Sequence, residues 1–341
     1  MGHVIVLGVE TSCDDTCAAV LHDGRELASV VASQDEVHAP FGGVVPELAA
    51  RNHVVHVGPV IERALAQAGV GFEDLDGIAA TRGPGLVGSL LVGLGTAKAI
   101  ARRRGLPFVG VHHVEGHLLS IALDREVERP FLGLVVSGGH SALYWARPEG
   151  GWAVLGETRD DAAGEAFDKA AKLLGLGYPG GRAIERLATG GDAHAIALPR
   201  PRVRGAALDL SFSGLKTALW QAWRDSPEAL PADLAASFQL AVVEMLVGAA
   251  RRAVRATGTT RLVVCGGVSA NGALRAAMAS MAAEEGAVLL VPPLPRCTDN
   301  ASMIAYAGWL RLRAGENDAL DLNAEADLPL GPRVDVGTLD G

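Results

Sequence analysis

A three-strand meander occurs twice in this chain, and that repetition limits the fold more than any other feature. Residues 4–8, 17–21 and 26–32 read as strands, with a polar turn at 10–15 and an Asp23-Gly24 hairpin signal between them. Residues 131–136, 142–146 and 152–157 repeat the pattern across turns at 137–140 and 149–151, about 126 residues further on. Behind the first meander the spacing predicts a helix over 46–68, a strand at 77–80, a helix over 86–104, a strand at 107–111 and a helix over 113–122. Behind the second it predicts helices over 161–174, 180–189, 213–224 and 231–257 and a strand at 261–265. A helix from about 271, a strand at 287–291 and a last helix from near 300 follow. This order implies two copies of one α/β unit, the second enlarged by extra helices. Two such units facing each other are expected to make a cleft lined by the loops at strand ends. The length, 341 residues, suits two domains.

Composition narrows the class. Hydrophobic residues make up 49% and charged residues 20%, which supplies a large core and excludes a disordered chain. The formal charge of -9 argues against a nucleic-acid coat protein, whose affinity rests on many Lys/Arg–phosphate contacts. Seven acids and one base, Arg333, fall in residues 314–341, a net -6 that leaves only -3 of the -9 for residues 1–313. That acidic tail has little helical period and is expected to be loosely packed or disordered. Arg200, Arg202 and Arg204 share one Pro-containing loop, and Arg102 to Arg104 end a helix. Each group is either a patch for an RNA backbone or a solvated face. Four cysteines (Cys13, Cys17, Cys265, Cys297), no basic-then-apolar leader and no uncharged run of about 18 apolar residues point to the cytoplasm and away from a membrane. Cys13 and Cys17, without a second pair, read as packing residues rather than metal ligands.

Three constellations carry chemistry. His113 and His117 stand at i and i+4 on a predicted helix, about 6 Å apart on one face, a spacing that suits two imidazoles on one divalent metal. Glu115 points to the other side, so the zincin arrangement of an acid directly after the first histidine is missing. Asp299, beside Asn300 at a helix start, is either the third ligand or an N-cap. The second constellation is the set of Gly-rich turns after strands. Ser137-Gly138-Gly139-His140 offers an anion nest, and the turn from Gly266 to Gly272 leads a strand into a helix. Gly83-Pro84-Gly85-Leu86-Val87-Gly88 spells a dinucleotide fingerprint, yet no acid occurs between Asp76 and Glu115 to hold a ribose; close packing explains these glycines better. The third is Glu165, Asp168 and Lys172 on one helix face, followed by Gly181 and Glu185. It is either a solvated face or a ribose site closed by backbone at Gly181. Only Lys98, Lys169, Lys172 and Lys216 are lysines among 30 bases, and three of them lie at 164–172 and 211–216.

Taken in order, the segments GVETSCDDT (8–16), FGGVVPELAARNH (41–53), HHVEGHLLS (112–120), VVSGGHSAL (135–143), GEAFDKAAKLLGLGYPGG (164–181), SFSGLKTAL (211–219), VVCGGVSANGALR (263–275) and CTDNASMIAYAG (297–308) resemble the tRNA N6-adenosine threonylcarbamoyltransferase family, formerly labelled a glycoprotease. The resemblance covers roughly residues 3–313. It implies the duplicated actin/Hsp70/sugar-kinase-like α/β fold, two RNase H-like domains around a nucleotide cleft. The expected domains are 1–111 with about 300–325, and 112–299 with inserted helices, followed by the tail.

The resemblance also implies roles. His113, His117 and Asp299 match metal ligands, with Fe2+ expected and Zn2+ the alternative. Val136, Ser137, Gly138, Gly139 and His140 match the loop over the phosphate and acyl part of the substrate. Asp168 and Gly181 match ribose contacts and Asn271 an adenine contact; Glu185 stands where many members have Asp. The implied reaction moves the threonylcarbamoyl group from threonylcarbamoyl-AMP to N6 of the adenosine at position 37, beside the anticodon, in tRNAs reading codons that begin with A, and AMP leaves. Implied partners are tRNA, a catalytically inactive paralogue of the same fold, a small ATPase, and the synthase that makes the adenylate. No general base is assigned among Glu10, Asp14 and His140. The competing readings are a metallo-glycopeptidase, an ATPase or sugar kinase of the same fold (holding ATP or AMP in the cleft), and a non-catalytic scaffold. The first needs a base that Glu115 does not supply, the second would favour oxygen ligands for Mg²⁺, and the third is disfavoured by the intact metal motif.

Overall fold

The computed structural model describes residues 3–225 and 229–335. The chain divides into two compact units, Met1–Glu126 with Asp299–Leu330 and Val127–Thr298 with Gly331–Gly341. In the first, β1 (Ile5–Glu10), β2 (Thr16–His22) and β3 (Arg25–Ala32) form the antiparallel meander. Asp23 and Gly24 both take positive φ, as a two-residue hairpin that follows the twist of its strands requires. β4 (Gly77–Gly83) and β5 (Phe108–His112) extend the sheet parallel to β1, giving the order β3-β2-β1-β4-β5.

Both faces of the inner part of this sheet are covered, so β1, β2, β4 and β5 are buried almost throughout, while the edge strand β3 is largely exposed. Leu7, Val9, Val20 and Ile78 face Val57, Val60, Ile61 and Leu94. Those last four belong to α2 (Pro46–Ala68) and α3 (Val87–Arg104), which follow a short α1 (Asp35–His38). On the other face Val6, Ala79, Val109 and Val111 meet Met303, Ile304 and Trp309 of the last helix, Ala301–Arg313. Each fully buried Leu or Ile is worth about 1.5–3 kcal/mol.

The second unit repeats the plan. β6 (Phe131–Val136), β7 (Ser141–Ala146) and β8 (Trp152–Glu157) form the meander; β9 (Arg261–Cys265) and β10 (Val288–Leu290) run parallel to β6. The order β10-β9-β6-β7-β8 matches the first sheet strand for strand. Even the irregularity recurs, between Val20 and Leu21 in one copy and Leu143 and Tyr144 in the other. The inserted helices are α5 (Ala163–Leu173), α6 (Gly180–Ala188), α7 (Ser213–Asp225) and α8 (Pro231–Thr257), with α9 (Gly272–Glu284) after β9. α8 is long and apolar enough, by length and composition, to cross a membrane, but 61% of its apolar window is buried inside the protein. It is the core helix of this unit, with Phe238 edge-on to Phe167 at 5.7 Å.

The tail differs from its sequence reading. Instead of packing loosely, residues 314–335 follow the outer strands. Phe108 N donates to Asn317 Oδ1 (3.0 Å), Asp318 N to Phe108 O (2.7 Å) and Gly110 N to Asp318 Oδ2 (2.8 Å). In the second unit Val154 N donates to Pro332 O and Val334 N to Val154 O, both at 2.9 Å. β5 and β8 are sheet edges whose backbone groups need partners, and a polar, non-helical segment supplies them. Residues 336–341 of the tail lie outside the described residues.

Candidate functional site

In the first unit the carboxyl ends of the parallel strands carry polar side chains: Glu10 on β1, Thr81 on β4, and His113 at the start of α4 (His113–Leu119), which leaves β5 directly. Ligands of open α/β sheets bind at such ends. His112 caps α4 by accepting from Val114 N (3.2 Å) while its Nε2 meets Leu328 O (2.9 Å). Burial pushes its pKa down to about 4, so this ring is neutral.

Two glycines bring the candidate ligands together. A Cβ on Gly8 would lie 2.6 Å from Ala301 O and from the Ala305 methyl, so the last helix, α10, seats directly on β1. A Cβ on Gly116 would lie 2.9 Å from Ile304 Cδ1, so α4 in turn lies on α10. Asp299, just before α10, thereby meets both histidines: His117 Nε2 at 3.0 Å and His113 Nε2 at 3.6 Å from Oδ1. The three ligand atoms lie within 4.8 Å of one another. Asn300 performs the N-cap role, accepting from Met303 N at 3.1 Å, while Asp299 Oδ1 lies against the two histidines.

Behind the histidines stands Glu10, wholly buried. Its Oε2 contacts His113 Nδ1 at 2.9 Å and accepts from Thr81 Oγ1 at 2.6 Å, while Oε1 accepts from Ser12 N. Burial alone would lower the His113 pKa, but the charges of Glu10 and Asp299 outweigh it and carry it up to about 9. The pocket therefore favours a cation. Two imidazole Nε2 atoms and a carboxylate oxygen, backed by a carboxylate on the far ring nitrogen, form a donor set that fits a divalent metal. His53 of α2 locks the adjoining turn, with Nδ1 2.7 Å from Thr16 Oγ1 and Nε2 3.0 Å from Cys13 O. Glu115 lies beside the charge of Arg311. The Gly83 and Gly85 backbone serves packing, as the sequence suggested: a Cβ at Gly85 would lie 2.6 Å from Ser12 O.

The second unit gathers the remaining candidates. Val136 ends β6, and Ser137 to His140 turn into β7. Ser137 N donates to His140 O (2.8 Å) and His140 N to Ser137 Oγ (3.1 Å), leaving the Gly138 and Gly139 amides outside the loop's own hydrogen bonds. A Cβ on Gly138, Gly139 or Gly181 would meet nothing within 4 Å, so packing does not require these glycines. Gly266 is different. Its φ is +90° and a Cβ would lie 2.5 Å from Val136 O, which presses the β9 turn onto the end of β6. Asp168 Oδ1 accepts from Gly180 N at 2.7 Å, holding α6 beside α5.

Glu185 Oε1 accepts from Gly272 N at 2.7 Å, so its longer side chain ties α6 to the start of α9. Asn271 caps α9 through Leu274 N (2.9 Å) and donates to Gln239 Oε1 at 2.8 Å. Gln239 and the Glu10 link to His113 were absent from the sequence-predicted site. From sequence Glu10 stands with Asp14 and His140 as a general-base candidate; the structure instead puts its carboxylate against His113 Nδ1. Lys169 pairs with Asp161 (2.6 Å) and Glu165 (3.0 Å), which gives this lysine a structural task.

Known proteins resemble this chain over most of its length. The family model for tRNA N6-adenosine threonylcarbamoyltransferase matches residues 25–306. The tRNA N6-adenosine threonylcarbamoyltransferase of Geobacter sp. (strain M21) is 54% identical over 333 residues, covering 96% of this chain and 96% of that protein. Among solved structures, HypF of T. kodakarensis superposes with a TM-score of 0.63 at 16% identity, covering 92% of this chain and 48% of that one. Component A of the (R)-2-hydroxyglutaryl-CoA dehydratase of Acidaminococcus fermentans gives 0.54 at 15% identity, covering 93% of this chain and 100% of that one. At such identities these two likenesses speak for the fold alone, the duplicated actin/Hsp70/sugar-kinase-like architecture.

Proposed function

Because this chain belongs to the tRNA N6-adenosine threonylcarbamoyltransferase family, we propose that His113, His117 and Asp299 hold the one divalent cation of its active centre. The enzyme is an acyltransferase that forms N6-threonylcarbamoyladenosine by transferring a threonylcarbamoyl group onto a tRNA adenosine. The observation that carries the metal reading is the convergence of two imidazole nitrogens and a carboxylate in front of the buried Glu10. Fe2+ is the first choice and Zn2+ the second, since a His2Asp set suits either.

The donor in this reading is threonylcarbamoyl-AMP, and the acceptor is the adenosine at position 37 of tRNAs reading codons that begin with A. The adenosine N6 attacks the carbamoyl carbon, the bond from that carbon to the phosphate oxygen breaks, AMP leaves with the electron pair, and N6 loses a proton. When bound, the cation supplies Lewis-acid polarisation of the acyl group. Glu10, as an acceptor-only carboxylate, draws the His113 proton to Nδ1 and turns the Nε2 lone pair toward Asp299. The Gly138 and Gly139 amides, with Val136, Ser137 and His140 around them, receive the phosphate; their open Cβ positions support close approach of a ligand. Asp168, Gly181 and Glu185 hold the ribose, and Asn271 the adenine. Held in place this way, the donor gains much of its rate from positioning. A peptidase would need a carboxylate poised to activate water, but both Glu10 oxygens are engaged and Glu115 is not among the residues that converge with His113 and His117.

A tRNA substrate and four free cysteines support a reducing, cytoplasmic setting. An inactive paralogue of the same fold, a small ATPase and the adenylate synthase complete the reading. α2 and α3 meet where Gly88 would place a Cβ 3.3 Å from Ala50, and Val54, Val55, Val87 and Leu91 on these two helices are exposed, which supports a helical partner. The test is direct: purified protein, unmodified tRNA and threonylcarbamoyl-AMP, with the nucleosides identified by mass. Modified adenosine at position 37 is expected. Intact tRNA with cleaved glycoprotein would favour the peptidase.

A further inference from the structure

A second constellation lies in the second unit, where the 200–210 loop crosses α8 over a cavity of about 220 Å³. Its lining includes Arg200, Arg202, Asp209, Glu244, Gly248 and Arg252. Both acids are already engaged. Glu244 Oε2 accepts from Arg200 at 2.6 Å. Asp209 accepts from Arg333 at 2.5 Å, from Glu157 N at 3.1 Å and from Arg159.

Two cations are left over. Arg252 donates through Nε to Ala207 O at 2.8 Å, which fixes its guanidinium at the cavity wall. A Cβ on Gly248 would lie 3.3 Å from Arg252 Nη1, so the glycine leaves the fork its room. Arg202 is exposed at the mouth. Among the described residues neither arginine has a carboxylate partner, and burial together with the charge of Arg202 lowers the Arg252 pKa. Two like charges at one small cavity whose remaining wall is largely apolar (Val203, Leu210, Met245) call for a shared anion, and guanidinium forks match phosphate oxygens in pairs. The space is below the usual range for a small-molecule pocket, about 300–1,000 Å³, but ample for one phosphoryl group.

We propose that Arg202 and Arg252 bind a backbone phosphodiester of the tRNA substrate in this cavity. The proposal rests on the tRNA-modifying reading above. It refines the sequence-level view of the 200–204 loop: Arg200 is neutralised by Glu244, and the second cation comes from α8, fifty residues beyond Arg202.

The experiment measures binding of unmodified tRNA to the full chain by fluorescence anisotropy across a salt series, beside the steady-state transfer assay. The double variant Arg202→Gln, Arg252→Gln is expected to raise the Kd about tenfold and to flatten the slope of log affinity against log salt by about 1. The KM for tRNA rises by the same factor, while transfer at saturating tRNA stays as in the wild type; losing the Arg252–Ala207 bond lowers the melting temperature by only a few degrees. Arg252→Lys, which keeps the charge, recovers part of the loss. Unchanged Kd and slope in the double variant, with a wild type that binds and modifies tRNA, overturn the site. A wild type that neither binds nor modifies tRNA overturns the functional reading beneath it. Inorganic phosphate that binds the wild type but not the double variant, with tRNA affinity unchanged, assigns the cavity to a free anion and also overturns the tRNA contact.

Discussion

Glu10 and His113 are 103 residues apart in the chain, yet Oε2 of one lies 2.9 Å from Nδ1 of the other, both buried. Glu10→Gln keeps the volume but removes the charge and the acceptor-only character. Metal affinity is expected to fall about 10- to 100-fold, measured by competition with a chromophoric chelator. Affinity equal to wild type would remove Glu10 from the metal site.

The glycines separate packing from substrate contact. Gly266→Ala is expected to destabilise the protein by at least about 2 kcal/mol, since its φ of +90° and the 2.5 Å approach to Val136 O both resist a side chain. Gly138→Ala and Gly139→Ala meet open space, so stability should move by less than about 1 kcal/mol. Affinity for the adenylate should nevertheless fall, read by calorimetry with a non-hydrolysable analogue. Unaltered affinity in both would detach this loop from the phosphate.

Acid stability has an identifiable contributor in Asp209. Burial would raise its pKa, but Arg333, the Glu157 amide and Arg159 outweigh this and lower it. A lowered carboxylate contributes stability above its unfolded pKa, near 4, and that contribution is lost as the pH falls through the folded value. Asp209→Asn should cost about 1–3 kcal/mol at pH 7 and progressively less toward pH 3. Chemical denaturation at both pH values checks the sign. A mutant deficit that grows with acid would refute it.

Removing residues 315–341 should destabilise the fold by several kcal/mol. It frees the Phe108 and Gly110 edge and unpairs Asp209 from Arg333, with each lost hydrogen bond worth about 1 kcal/mol. Thermal unfolding measures it, and a truncated protein as stable as the full chain would mean the tail only rests on these edges.

The sheets were readable because strand periodicity is local. The second meander runs over Phe131–Val136 and Trp152–Glu157 as its pattern indicates. Helix α2 spans Pro46–Ala68, opened by Pro46 and closed by Gly69 in the left-handed region. His113 and His117 were readable for the same reason, as neighbours on one helix. What escaped depends on distant partners. Asp299 looked as much like a cap as a ligand until Asn300 took the cap. Glu10 needed β5 to be laid down two strands away before its target existed. The tail lacks a periodic pattern because its backbone serves sheet edges rather than a core. Arg252, on a helix recognised only by its extent, gave no sign of lining one cavity with Arg202.

The central claim is that His113, His117 and Asp299 hold a metal that threonylcarbamoyl transfer requires. The most direct measurement is transfer from threonylcarbamoyl-AMP to tRNA by the His113→Ala, His117→Ala double variant, with metal content determined on the same sample. The account predicts a folded protein without bound metal and without detectable transfer. Transfer at the wild-type rate from that metal-free variant would contradict it.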